Sequence, residues 1–144
     1  MKLLLETHEI SEQIQMVFVK QYQNVLQNYE LTSKHTIILQ LAHKKENPTM
    51  NEIAEILGVT PSAASQFVKK LEQKRYVKRE VNKNNRRETF VLLDNKGRAF
   101  FEELSRIDQS VIEKYLLKLP EQDIIQYHAI LKKLYDIVVS TSNT

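Results

Sequence analysis

Apolar side chains recur every three or four residues along most of the chain and gather into two β-branched, aromatic-rich runs in one short section. The pattern predicts helices around a single pair of strands. From Glu6 to Tyr29 the apolar positions are Ile10, Ile14, Val17, Phe18, Tyr22, Val25, Leu26 and Tyr29, a stripe along a rod of roughly 35 Å. Thr32 can cap a second helix that buries Ile37, Ile38, Leu41 and Ala42 and ends near Lys44 and Lys45, before Pro48. Thr49-Met50-Asn51-Glu52 has the form of a capping box, opening a short helix with Ile53, Ala54, Ile56 and Leu57 inward. Gly58 ends it, because glycine takes a positive φ at little steric cost.

The chain restarts almost at once. Val59 can plug the core, Thr60 is a cap, and Pro61 sits at the first helical position, where its missing N–H is harmless. Ala64, Phe67, Val68 and Leu71 make the buried face of this helix, which turns Ser62, Ser65, Gln66, Lys69 and Gln73 outward. Small hydroxyls, amides and lysine suit a groove of base edges flanked by phosphates better than they suit bulk water. An αα-hairpin with a polar outer face has the same pattern. The runs "YVKREV" and "ETFVLLD", joined by the basic turn "NKNNRR", then predict a β-hairpin. A helix-turn-helix followed by a hairpin with a cationic tip is a winged helix, with the helix placed for the major groove and the tip for phosphates or the minor groove.

Asn95 to about Lys118 carries Phe100, Phe101, Leu104, Ile107, Val111, Ile112, Tyr115 and Leu116. After Leu119-Pro120 a last helix carries Ile124, Tyr127, His128, Leu131, Leu134, Tyr135 and Val138, with Ile130 and Ile137 beside them. The fold class is therefore mainly α with a small antiparallel hairpin: a winged helix-turn-helix over residues 32–94, flanked by helical regions 1–31 and 95–144 in one compact, chain-long domain. The flanking stripes are wider than a small winged helix can cover. Surplus apolar helix at both ends predicts a second copy, with Ile10, Ile14, Val17, Leu131, Leu134 and Val138 in the contact. The other arrangement is a monomer whose long helices pack internally.

Charge sharpens this picture. The net charge is only +3, but residues 69–98 hold eleven Lys or Arg against four acids, which leaves the remainder acidic and suggests a polyanion approached from one side. With no cysteine, disulfides, thiolate metal sites and thiol redox switches are excluded. The opening "MKLLLETHEI" is too short an apolar run for a secretory signal, and no stretch is long enough for a membrane span, so the expected location is the cytoplasm. No Gly-rich phosphate loop or nucleophile context is present, and His8, His35, His43 and His128 lie on separate segments. No enzyme, cofactor or metal is expected.

The stretch from Met50 to Gly97, "MNEIAEILGVTPSAASQFVKKLEQKRYVKRE", then "NRR", then "LLDNKG", resembles the MarR family of bacterial transcriptional regulators. The resemblance implies a homodimer that reads a pseudo-palindromic operator in double-stranded DNA, most often as a repressor, and a small-molecule effector that releases it. It places base and phosphate contacts on Ser62, Ser65, Gln66 and Lys69 of the helix and Arg87 of the wing. Ala63, Lys70, Arg79, Lys83 and Arg86 complete the candidate DNA-binding set. Three positions depart from the family pattern. Asn85 stands where an aspartate usually braces the wing, Arg75 where glycine often ends the recognition helix, and Asp94 where threonine usually caps the next helix. The alternative function is a winged-helix protein-interaction module that does not bind DNA.

Overall fold

The structure is a computed structural model that describes residues Met1–Ser142; the last two positions of the predicted region 95–144 lie outside the described residues. Its elements are α1 (Lys2–Tyr29), α2 (Ser33–Lys44), α3 (Met50–Leu57), α4 (Pro61–Gln73), β1 (Val77–Val81), β2 (Thr89–Leu93), α5 (Asn95–Lys114), a 3-10 turn (Leu116–Lys118) and α6 (Glu121–Ser142). Helix α1 begins four residues earlier than the apolar stripe suggests, and α5 stops at Lys114 rather than near Lys118. Packing divides the chain inside α5 into one compact unit ending at Ser105 and a second starting at Arg106, where the sequence suggests one chain-long body. Phe100, fully buried, anchors the first half of α5 to the first unit.

The helix starts follow from local chemistry. The Thr60 hydroxyl accepts the Ala63 N–H (3.1 Å) with Pro61 behind it. At α3 the Thr49 hydroxyl accepts the Glu52 N–H and the Glu52 carboxylate accepts the Thr49 N–H, both at 3.2 Å, the reciprocal box read from the sequence. Lys45 Nζ lies 2.8 Å from the same carboxylate. The lysine first and the backbone donor second hold the Glu52 carboxyl below its ordinary pKa.

Helix α2 has a box of a different kind. Thr32 N–H donates to His35 Nδ1 (3.4 Å), and the Thr32 hydroxyl accepts the His35 N–H (3.3 Å). An accepting Nδ1 leaves the ring proton on Nε2, which is buried without a hydrogen-bond partner, with the Phe67 ring edge-on at 6.1 Å. Burial, then Lys70 and Lys74 on α4, lower the His35 pKa below 6.5.

The core of the first unit is Val25, Ile38, Leu39, Ile53, Ala54, Ala64, Val68, Leu71, Tyr76, Val77, Val91 and Phe100. Two residues expected to face inward are exposed, Ile56 at 56% and Ile37 at 39%, while Leu41, Ala42, Leu57 and Phe67 are half-buried. In each short helix the buried face is centred on a neighbouring pair, Ile53–Ala54 and Ile38–Leu39, and at about 100° per residue Ile56 and Ile37 rotate away from it.

The strands pair antiparallel from Val77 opposite Leu93 to Val81 opposite Thr89. The hairpin is held to the start of α3 by the Val91 N–H donating to the Pro48 carbonyl (2.9 Å) and by a bridge from Thr49 to Phe90.

Helix α4 ends on Arg75 at φ 61°, in the left-handed region. The Arg75 N–H donates to Glu72 O and the Tyr76 N–H to Leu71 O, both at 2.9 Å, which is the Schellman arrangement that glycine normally supplies. The carbonyls of the same two residues accept from the start of α5, Arg75 O from the Lys96 N–H (3.1 Å) and Tyr76 O from the Asp94 N–H (2.9 Å). The Asp94 carboxylate in turn accepts the Asn95 N–H (2.7 Å). Gly97 packs so closely here that a Cβ would collide with the Tyr76 carbonyl oxygen. Gly58, by contrast, has open space around it and is required for its φ of +62°. The Tyr76 hydroxyl donates to Tyr29 O (2.8 Å), and the Tyr29 hydroxyl donates to Glu103 (2.6 Å), tying the end of α1 to the winged region.

Helices α1 and α6 leave large apolar side chains in solvent. Ile10, Ile14 and Val17 are exposed on α1, and Leu131, Leu134 and Val138 on α6. No helix among the described residues is long and apolar enough to cross a membrane.

The backbone strain and the half-buried imidazole each carry a prediction. Arg75→Gly removes a left-handed non-glycine residue and is expected to stabilise the protein by about 1 kcal/mol, the strain relieved less the extra entropy of the unfolded chain. The melting temperature should rise by roughly 2–4 °C, and an unchanged or lower value would show that the strain at Arg75 is no larger than the entropy cost of glycine. Folded His35 holds a proton less readily than unfolded His35, so its contribution is complete above the unfolded value near 6.5 and is lost as pH falls from there through the folded value. His35→Gln keeps the box without the titration. Denaturation at pH 7.5 and 5.5 should show a smaller acid loss in the variant than in the parent; equal losses would count against this account.

Candidate nucleic-acid interface

The outward face of α4 is the row Ser62, Gln66, Lys69 and Gln73, at successive helical spacings and all exposed. Opposite this row lie the buried Ala64, Val68 and Leu71. The two flanks differ. Ala63 and Lys70 lie on the side toward α2, with Ala63 half-buried, Lys70 exposed and the Lys70 charge acting on His35. Ser65 and Glu72, both half-buried, lie on the side toward β1.

Arg79 of β1 crosses to that second flank. Its Nη1 donates to the Ser65 hydroxyl (3.3 Å) and its Nη2 to the Ser65 carbonyl (3.2 Å). Its Nε lies 3.2 Å from a Glu72 carboxylate oxygen, in charge contact but with the N–H not aimed at it. The sequence groups Arg79 with the phosphate-contacting bases, but the structure engages it within the protein. Neither Glu72 nor the Arg79 contacts were legible beforehand, since they depend on the relative placement of a helix and a strand.

The wing is a tight loop stitched by asparagines. Asn82 N–H donates to Glu88 O (3.0 Å), and the Asn82 side chain donates to the Glu88 carboxylate (2.9 Å). The Asn82 side-chain oxygen accepts the Asn84 N–H (2.9 Å), and that of Asn85 accepts the Arg87 N–H (3.3 Å). Asn85 thus braces the backbone of the wing arginine as an Asx turn, without the carboxylate of the family pattern. Lys83, Arg86 and Arg87 are all exposed along this loop.

Between α4, the first turn of α3 and the root of the hairpin lies a polar hollow of about 250 Å³, lined by Thr49, Met50, Asn51, Ser65, Arg79, Arg87, Glu88 and Thr89. The interface is therefore continuous: an exposed polar helix row, a hollow, then a cationic loop. Among the described residues no group of three or more His, Cys, Asp or Glu is arranged to hold a metal.

A model of the MarR family matches residues 31–89, from the turn between α1 and α2 through the first residue of β2. The transcriptional repressor MdtR of Bacillus subtilis is 30% identical over 129 residues, spanning 88% of this chain and 83% of MdtR. The chain belongs to the MarR family. As a MarR-family protein it is a DNA-binding transcriptional regulator with a winged-helix fold. Two solved structures share that fold at lower identity. Streptococcus pneumoniae FabT, solved in complex with DNA, superposes with a TM-score of 0.73 at 20% identity, covering 96% of this chain and 98% of FabT. S. aureus MepR bound to ethidium bromide gives 0.69 at 21%, covering 91% and 95%.

Proposed function

We propose that this MarR-family regulator is a homodimeric repressor without enzymatic activity, that it works in the cytoplasm on a pseudo-palindromic operator, and that a small molecule releases it. The observation that carries the DNA contact is the exposed row Ser62, Gln66, Lys69 and Gln73 set beside the cationic loop of Lys83, Arg86 and Arg87. A row of donors and acceptors fits base edges in the major groove, and a charged hairpin beside it fits phosphates or the minor groove. Repression accords with the name of MdtR, and release by a small molecule with MepR holding ethidium.

Dimerisation rests on α1 and α6. Apolar residues of α6 occupy roughly two thirds of its circumference at about 100° per residue, and most are exposed. A two-fold dimer whose α4 rows lie about 34–36 Å apart, one turn of duplex, would touch successive major-groove turns and so match a pseudo-palindrome. The contact residues are Ile10, Ile14, Val17, Leu131, Leu134 and Val138.

The competing reading, a protein-interaction module, has no use for the bases around α4 and the wing. Selection of bound fragments from random duplex DNA tests the proposal directly, with one recurring two-fold motif as the supporting result.

Three outcomes are expected. Lys69, Lys70, Lys83 and Arg86 on two subunits make on the order of 6 to 10 phosphate contacts, so affinity should fall roughly 10³- to 10⁵-fold between 50 and 200 mM salt, whereas a flat dependence favours the interaction module. Gln66→Ala should cost about 1–3 kcal/mol on the preferred site and relax one base position per half-site, whereas Arg87→Ala should weaken binding to many sequences and lower the salt slope. Loss of discrimination in Arg87→Ala alone would overturn that division of labour. The melting temperature should rise with protein concentration, and light scattering from a folded monomer at micromolar concentration would refute the dimer.

A further inference from the structure

Arg79 and Ser65 form a unit whose chemistry points outward. A serine hydroxyl has one proton to donate and two lone pairs to accept with. Arg79 Nη1 fills one of those lone pairs, and Nη2 holds the Ser65 carbonyl, so the fork fixes both the side chain and the backbone of this residue. A serine inside a helix commonly spends its proton on the carbonyl one turn back. Ser65 does not: its hydroxyl proton has no acceptor among the described residues, and Ser65 lines the hollow beside the exposed row. The charge of Arg79 is already met by Glu72 at 3.2 Å, and its side chain is only 28% exposed, which suits a brace and not a phosphate contact.

Resting on the DNA-binding reading above, we propose that Arg79 is a positioning residue that turns the Ser65 hydroxyl proton toward a major-groove acceptor, namely purine N7, guanine O6 or thymine O4. The pair favours such an acceptor over a base that presents only a donor, as the N4 amino group of cytosine does, because one lone pair of the hydroxyl is taken and the guanidinium beside it disfavours a second donor on the other. Because the fork comes from β1, it also sets the rotation of α4 relative to the hairpin, and so fixes which base pair Ser65 meets.

The test uses the full-length protein, the preferred duplex from random selection, and the single-base variants of that duplex. Ser65→Ala and Arg79→Ala should each lose about tenfold in discrimination at one and the same base pair per half-site, and the double variant should lose no more than either alone. Ser65→Thr, which keeps the hydroxyl, should retain the discrimination. Arg79→Lys, which keeps the charge but not the fork, should lose part of it, and the slope of log affinity against log salt should stay at the parent value in both arginine variants. A slope lowered by about 0.9 for each subunit's Arg79→Ala would make Arg79 a phosphate contact and overturn the proposal. Additive losses in the double variant, or unaltered discrimination in Ser65→Ala, would overturn it as well. If Arg79→Ala fails to fold by circular dichroism, the Ser65 variants and Arg79→Lys decide. A parent protein that selects no sequence would refute the DNA-binding reading itself, an outcome visible before any variant is made.

Discussion

The geometry of the winged region depends on the peptide units of Arg75 and Tyr76. Helix α4 must stop within one residue for the chain to enter β1, and it does so through a left-handed turn at a residue with a full side chain. The two N–H groups close the helix, and the two carbonyls receive the N–H groups of Asp94 and Lys96 at the start of α5. The Tyr76 ring fills the core while its hydroxyl reaches the last carbonyl of α1. One dipeptide therefore joins α4, the hairpin, α5 and α1, and the direction in which the exposed row of α4 points is set where they meet.

Around this joint the three sides of α4 take different tasks. The buried side is aliphatic and packs on α2 and α3. The side toward α2 is cationic, and it acts on an imidazole that must stay neutral to keep its place in the Thr32 box. The side toward β1 is a neutralised network of Arg79, Ser65 and Glu72 that leaves little net charge but much directional hydrogen bonding. On the proposed DNA-binding reading, long-range attraction falls to Lys69, Lys70 and the wing, while fine alignment falls to groups that the protein itself holds in place.

What could be read from the chain was local. The Thr49–Glu52 box, the Gly58 stop and the Thr60-Pro61 start depend on residues within four positions of one another, and the structure has all three. The hairpin strands were legible for the same reason. The direction of a short helix face was not: Ile56 and Ile37 fit the apolar spacing, but their neighbours Ala54 and Leu39 win the core because α3 and α2 meet the rest of the unit on that side. A histidine completing a capping box is hidden because glutamate or glutamine is the usual partner. Arg79 looked like one more base in a basic segment, and only the approach of β1 to α4 turns it inward.

The two glycines of the chain are needed for unlike reasons. Gly58 is needed for its torsion and has empty space about it, so an asparagine, which tolerates the same conformation, is an accessible replacement as sequences diverge. Gly97 sits in an ordinary helical conformation but against the Tyr76 carbonyl, so a side chain of any kind forces α5 away from the joint. In descendants of this chain the first position can change only to a residue that accepts a left-handed φ. The second can change only together with the tyrosine peptide that faces it, which makes Gly97 and the α4 exit a single unit of inheritance.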